Sequence, residues 1–123
     1  MDYYSFFEKL QKADSKIRFT EVDTKKLLGE LNIPEFYQVV NPVNVEFEFN
    51  DGMVKLEPFE SLMALNEQYR YVASDCVFAT CNGDPIYIRD GKIYTCIHGS
   101  KRIVEEKFAE SIKELFEQVC CAL

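Results

Sequence analysis

His98 is the one histidine of the chain, so any Ser-His-Asp or Cys-His pair must use it as general base. With His98, the cysteines nearest to it in sequence, Cys76, Cys81 and Cys96, could also hold zinc. However, Cys-x₄-Cys and Cys-x-His are not distinctive zinc spacings, and the three thiols fall in strand-like runs where cysteine usually packs as a small apolar residue. We therefore expect no metal, no cofactor and no catalytic residue, which makes an enzyme using His98 the least favoured function.

Carboxylates offer the other chemistry visible in the sequence. Glu46 and Glu48 alternate with apolar residues in the run from Val43 to Phe49. This alternation predicts a half-buried strand with a solvated face, on which the two carboxylates lie about 7 Å apart. Asp51 in the following turn extends them into an acidic strip. The strip is either an ordinary solvated face or the surface that binds a partner.

Isolated glycines exclude a phosphate-binding loop, since none of the five stands in a Gly-x-Gly-x-x-Gly or Walker context. The formal net charge of −7 argues against direct binding of nucleic acid or an anionic membrane, and it leaves a basic protein partner open. The chain shows no secretory signal and no apolar run of about 18 residues, so we expect a cytoplasmic protein. Five cysteines, an odd count, fit a reducing compartment.

The last four residues, Cys120 to Leu123, formally match a prenylation box. No polybasic run precedes them, and they continue a helical pattern. We expect them to be unmodified, although they are the one feature of the sequence that points toward a membrane.

A meander of three strands is predicted from Phe78 to His98, because two turns cut runs rich in aromatic and β-branched residues. The first break is the turn of Asn82, Gly83, Asp84 and Pro85, and the second is Asp90-Gly91. Alternation assigns the side chains to two faces. A buried face carries Ile86, Ile88, Ile93, Thr95 and Ile97. The mixed face carries Cys96 and a second candidate binding surface: Tyr87, Arg89, Tyr94 and His98.

Helical periodicity marks the N-terminal segment and two later ones. The apolar stripes are Tyr3, Phe6, Phe7 and Leu10, then Phe59, Leu62, Met63, Leu65 and Tyr69 after Pro58, and finally Val104, Phe108, Ile112, Leu115, Phe116 and Val119. The last helix is predicted to begin near Val104 or Glu105. A short helix capped by Asp23, with Leu27, Leu28 and Leu31, is predicted to end before Pro34, and a helical turn is expected over 34–40.

A hairpin completes the set of predicted elements, because Asn50-Asp51-Gly52 turns the strand from Val43 to Phe49 into a partner from Met53 to Leu56. Residues 1–123 then form a single α+β domain, in which helices pack on a predominantly antiparallel mixed sheet of about five strands.

The order of these elements resembles the SUKH superfamily in its Smi/Knr-like branch. The resemblance is carried by the turn from Asn82 to Pro85, by Gly91 to Tyr94, by His98-Gly99 and by Phe108 to Phe116, and earlier by Pro34, Phe36, Tyr37, Asn41, Pro42, Val43 to Phe49 and Leu56 to Leu62. The chain departs from the family pattern in having no Trp, and Ile112 where relatives usually have Phe.

This resemblance implies a SUKH-like mixed sheet and a function without catalysis. Many bacterial members are thought to be immunity proteins that bind and neutralise a cognate toxin, often a nuclease. The expected partner is then a basic toxin domain. A regulatory or scaffold module, as in Smi/Knr-type relatives, is the alternative. The resemblance gives the turn of Asn82, Gly83, Asp84 and Pro85 a structural role.

Overall fold

A computed structural model describes residues 2–22, 33–72, 75–97 and 104–123. Its helices are α1 (Tyr3–Ala13), α2 (Leu62–Gln68) and α3 (Ile112–Ala122), with 3₁₀ turns at Glu35–Gln38 and Phe59–Ser61. Its strands are β1 (Arg18–Glu21), β2 (Val40–Phe49), β3 (Gly52–Leu56), β4 (Cys76–Cys81), β5 (Asp84–Arg89), β6 (Lys92–Ile97) and β7 (Val104–Ala109). The helix predicted after Asp23, with Leu27, Leu28 and Leu31, lies outside the described residues, as do His98 and Gly99.

The strands form one seven-stranded sheet in sequence order, and each neighbouring pair is antiparallel. The α+β class and the helices packed on an antiparallel sheet are confirmed. The prediction of a mixed sheet of about five strands is wrong in its count, and no parallel pair occurs among the described strands. Strands β2 to β6 are the predicted ones, whereas the edge strands β1 and β7 were not foreseen.

Residues 104–109 form β7, so the prediction of a helix beginning near Val104 or Glu105 is wrong. Helix α3 begins at Ile112, because the hydroxyl of Ser111 accepts a hydrogen bond from the backbone N–H of Glu114 at 3.1 Å. Ser111 and Glu114 also have the spacing of a capping box, the sequence signal that could have placed this helix start.

Strand β2 begins at Val40, earlier than predicted, and its alternation is interrupted near Val43. Arg18 of β1 pairs with Asn44 and Phe19 pairs with Pro42, so Val43 is an extra residue in the β1–β2 ladder. This bulge turns Val43 outward, where it is 50% exposed. The prediction that Val43 shares the core face of β2 is therefore wrong.

The main core lies where α1 and α3 pack on the sheet. Phe6 of α1 stacks on Phe116 of α3, with ring centroids 3.9 Å apart, and meets Phe47 of β2 edge to face at 5.9 Å. Phe36, from the 3₁₀ turn after β1, lies 5.4 Å from Phe116 and 6.1 Å from Phe78 of β4. The aromatic residues therefore join both helices to the central strands.

Helix α2 attaches to the sheet at the point where β3 ends. The side-chain amide of Asn66 accepts from the N–H of Val77 at 2.7 Å and donates to the Val77 carbonyl at 2.8 Å, as a neighbouring strand would. Leu62, Leu65 and Tyr69 are buried as predicted, but Met63 is 82% exposed. Met63 was wrongly placed in the core stripe, because it lies about 100° around the helix from Leu62.

Among the residues that the structure describes, three hairpin turns are two-residue turns with positive φ at both positions, as type I′ turns require. The pairs are Asn50-Asp51, Asn82-Gly83 and Asp90-Gly91. Asp84 and Pro85 were predicted in the second of these turns but belong to β5, where they pair with Cys81 and Thr80. Pro85 is tolerated near the start of the strand, where its carbonyl accepts from the hydroxyl of Thr95 at 3.0 Å.

Gly83 has φ +89° and no neighbouring atom within 4 Å of the position that a Cβ would occupy. Backbone strain is therefore the main cost of a side chain there. We expect Gly83→Val to lower the free energy of unfolding by about 1 kcal/mol or more, and Gly83→Asn to cost less because Asn tolerates this conformation. Urea denaturation measures both variants, and equal stability of the Val variant and the wild type would contradict the expectation.

Candidate functional site: the outer faces of the sheet

The acidic strip lies on the outer face of the β2–β3 hairpin. Glu46 and Glu48 are exposed. Val45 precedes them and Phe47 lies between them, and both point into the core, with exposures of 0% and 5%. Asp51 is exposed in the turn that follows. The structure thus brings together the three carboxylates that the sequence singled out.

The residues of β3 that face the acidic strip reduce its negative charge at one end. Lys55 stands directly opposite Glu46, and Met53 stands opposite Glu48. Because opposite charges on facing positions of an antiparallel pair attract, Lys55 offsets the negative potential of Glu46. Toward the turn, Glu48 faces the uncharged Met53, whose side chain is 42% exposed, and Asp51 follows in the turn itself.

The turn of Asn82 and Gly83, which the resemblance predicts to be structural, lies beside this end of the hairpin. The side-chain oxygen of Asn82 accepts a hydrogen bond from the N–H of Met53 at 3.3 Å. A side chain at Gly52 would force Cys81 to move, since an added Cβ would lie 2.6 Å from the sulfur of Cys81. A hydrogen bond and a close approach therefore connect this turn to the β2–β3 hairpin.

The structure brings together Tyr87, Arg89 and Tyr94 of the second candidate surface, but Tyr87 itself is buried, with 0% exposure. Tyr87 of β5 faces Tyr94 of β6, with stacked rings 5.9 Å apart, and the Arg89 guanidinium lies 4.5 Å from the centroid of the Tyr94 ring. His98, the fourth predicted member, lies outside the described residues. What joins these residues is a carboxylate that the sequence reasoning missed, Glu105 of β7.

Glu105 accepts two parallel hydrogen bonds from Arg89, at 2.9 and 2.5 Å, and a third from the hydroxyl of Tyr87. The sulfur of Cys96 lies 3.2 Å from the same hydroxyl. The Arg89 guanidinium and the Tyr87 hydroxyl hold the pKa of the Glu105 carboxyl below its usual value. Conversely, burial and these partners raise the pKa of Tyr87, and the hydrogen bond to Glu105 raises that of Arg89.

At neutral pH Glu105 and Arg89 are therefore both charged, and the phenol of Tyr87 is protonated. An acid–base catalyst instead needs a group whose pKa lies near the working pH. These side chains are hydrogen-bonded to one another, and their contacts connect β5 to β7 across β6. Sequence reasoning missed Glu105 because residues 104–109 were assigned to a helix. The Ser111-Glu114 capping signal would have excluded Glu105 from the helix, although it does not predict the strand.

The five cysteines are free thiols. Burial raises the pKa of Cys76 to about 11, so its thiol is protonated and a poor nucleophile at neutral pH. Across the described ranges, no group of three or more Cys, Asp, Glu or His side chains is arranged to hold a metal ion. The zinc site considered for Cys76, Cys81, Cys96 and His98 therefore stays without support, its histidine lying beyond these ranges.

Two open clefts adjoin along the start of α1, with volumes of about 590 and 460 Å³. They share Tyr3, Glu35 and Lys113, and the hydroxyl of Tyr3 donates to Glu35 at 3.2 Å. Their lining mixes carboxylates with a lysine, as ordinary protein surfaces do. No residue predicted as a site lies in either lining.

Comparison of the chain with protein-family models, with curated proteins and with solved structures finds no match. Among the helices that the structure describes, none is long and apolar enough to cross a membrane.

Proposed function

We propose that the chain is an immunity-type binding protein, which neutralises a basic bacterial toxin domain, such as a nuclease, by covering its substrate site. The single observation that carries this proposal is the exposed acidic face of the β2–β3 hairpin. The SUKH-like order of motifs in the sequence and the net charge of −7 support it further.

A rigid support makes this face suitable for binding. The inward side of β2 is fixed by Val45 and by Phe47, whose ring meets Phe6 of α1 at 5.9 Å. Type I′ turns hold Asn50-Asp51 and the neighbouring Asn82-Gly83. Because the surface is formed before the partner arrives, binding requires little ordering of this hairpin.

Charge and apolar contact have separate parts in the proposed binding. Glu48 and Asp51 attract a basic surface and speed its approach, an effect that salt weakens. Met53 offers an exposed apolar contact between them, on which the aliphatic stem of a partner lysine or arginine can lie. Glu46 contributes less because Lys55 stands opposite it.

The test begins with the gene immediately upstream in the source genome, whose product is co-expressed with this chain. We expect that product to be toxic alone and harmless with the chain. Changing Glu46 and Glu48 together to lysine should keep the fold, with a small loss of stability because the lysine introduced at position 46 faces Lys55. We expect the double change to slow association with the toxin domain about tenfold or more at low salt, mainly through Glu48. Stopped-flow association rates at two salt concentrations measure this.

A matched control is the pair Glu21→Lys and Glu117→Lys, exposed on β1 and α3, which changes the net charge equally. If the control slows association as much as the hairpin variant, the effect comes from the net charge and the hairpin is not the binding surface. If the upstream product is not toxic and does not bind, the immunity function is wrong and the regulatory or scaffold module takes its place.

A further inference from the structure

The first half of the edge strand β7 is weakly attached to the fold. The side chains from Val104 to Lys107 are exposed, whereas Phe108 is half-buried and Ala109 is buried. Phe108 also contacts Phe49 of β2, with ring centroids 5.0 Å apart. Apolar packing therefore anchors the second half of the strand, and the first half depends on its ladder with β6 and on polar contacts.

Among the described side-chain contacts of residues 104–107, the polar contacts that reach other strands are made by Glu105. Its carboxylate binds Arg89 through two hydrogen bonds and accepts a third from Tyr87, so it reaches across β6 to β5. The other ion pair of this half, between Lys107 and Glu110, is local to the strand and the residue after it. That pair cannot tie β7 to the rest of the sheet.

Cys96 lies beneath this contact. It stands opposite Glu105 in the β6–β7 register, and its side chain is 3% exposed. The Tyr87 hydroxyl lies 3.2 Å from its sulfur. Movement of residues 104–107 away from β6 would remove Glu105, its cross-strand neighbour, from beside this thiol, and would leave the backbone edge of Thr95 and Cys96 unpaired.

We propose that Glu105 is a latch that controls local opening of the first half of β7, and that the Cys96 thiol becomes accessible when the latch releases. Bidentate pairing with a guanidinium is among the stronger polar contacts in proteins. Edge strands with few apolar contacts belong to the least stable parts of a fold. The latch therefore sets how often this edge opens, independently of the proposed toxin binding.

The test compares Glu105→Gln with Glu106→Gln. Glu106 lies next to Glu105 in the strand but on the opposite face, with Thr95 as its cross-strand neighbour. Both variants remove one carboxylate charge, so a difference between them reports the contacts of Glu105. We expect amide hydrogen exchange at residues 104–107 to be about tenfold faster in Glu105→Gln than in Glu106→Gln, with amides of β4 and β5 unchanged.

Alkylation of the native protein by iodoacetamide gives the second readout, with modified cysteines counted by peptide mass spectrometry. Cys96 should react faster in Glu105→Gln by a similar factor, while the exposed Cys121 reacts at the wild-type rate in the same sample. Arg89→Lys, which keeps the charge but loses the two-pronged geometry, should give an intermediate rate. Equal Cys96 rates in the two Gln variants, or equally faster exchange in all strands, would overturn the proposal.

Discussion

Phe116→Ala is expected to lower the free energy of unfolding by about 3–5 kcal/mol. Phe116 is 1% exposed, and its ring lies within 6.0 Å of the rings of Tyr3, Phe6, Phe7 and Phe36. Its removal leaves a cavity between α1 and α3 that these rigid aromatic neighbours cannot fill. Chemical denaturation monitored by circular dichroism measures the loss.

Two further variants test whether the loss of stability comes from removing a large buried ring. Phe116→Leu keeps most of the volume and should cost less than the alanine change. Phe108→Ala removes the same ring from a half-buried position on the edge strand β7, so its cost should also be smaller. A loss below about 1 kcal/mol for Phe116→Ala would mean that α3 does not pack on α1 as described.

Asn66→Ala is expected to lower the free energy of unfolding by about 2–4 kcal/mol, because it removes the partner of the Val77 N–H and leaves the Val77 carbonyl with the weaker Cys76 thiol contact at 3.5 Å. Val77 is 1% exposed, so water replaces these two hydrogen bonds poorly. The same amide also donates to the carbonyl of Leu62 at 2.8 Å, within its own helix. Asn66 is thus the point at which α2 is fixed to the sheet, and thermal and urea unfolding should both detect its loss.

Asn44→Ala provides the matched control. The Asn44 amide also bonds a backbone carbonyl, that of Lys16 at 3.0 Å, but in an exposed position where water can substitute. Its cost should stay within about 0.5 kcal/mol. If Asn66→Ala costs no more than this control, the amide of Asn66 does not replace a strand partner of β4.

The two candidate binding surfaces differ in how far their polar groups are already engaged. Arg89 and Glu105 satisfy each other on the β5–β7 side, so a partner would have to displace an existing ion pair there. Glu48 and Asp51 are exposed on the hairpin, next to the apolar side chain of Met53. A basic partner therefore meets a lower cost at the hairpin, which is why the proposed function places binding there.

Local patterns in the sequence determined much of this protein. The three turns were predictable because Asn-Asp, Asn-Gly and Asp-Gly tolerate positive φ, and the strands between them followed from short apolar runs bounded by turn residues. Helix α1 followed from Phe6, Phe7 and Leu10, whose spacing leaves one face to bury. In these elements the local preference and the tertiary packing favour the same conformation.

The tertiary structure alone decided the two edges of the sheet and the neighbours across strands. Strands β1 and β7 expose most of their side chains, so their sequences lack the alternation that marks a half-buried strand. Lys55 opposite Glu46, Val43 in a bulge and Glu105 against Arg89 all depend on register, and register joins residues that are distant in sequence. A pattern confined to one segment carries no information about which residue of another segment will face it, and that pairing fixes the charge and the accessibility of both candidate surfaces.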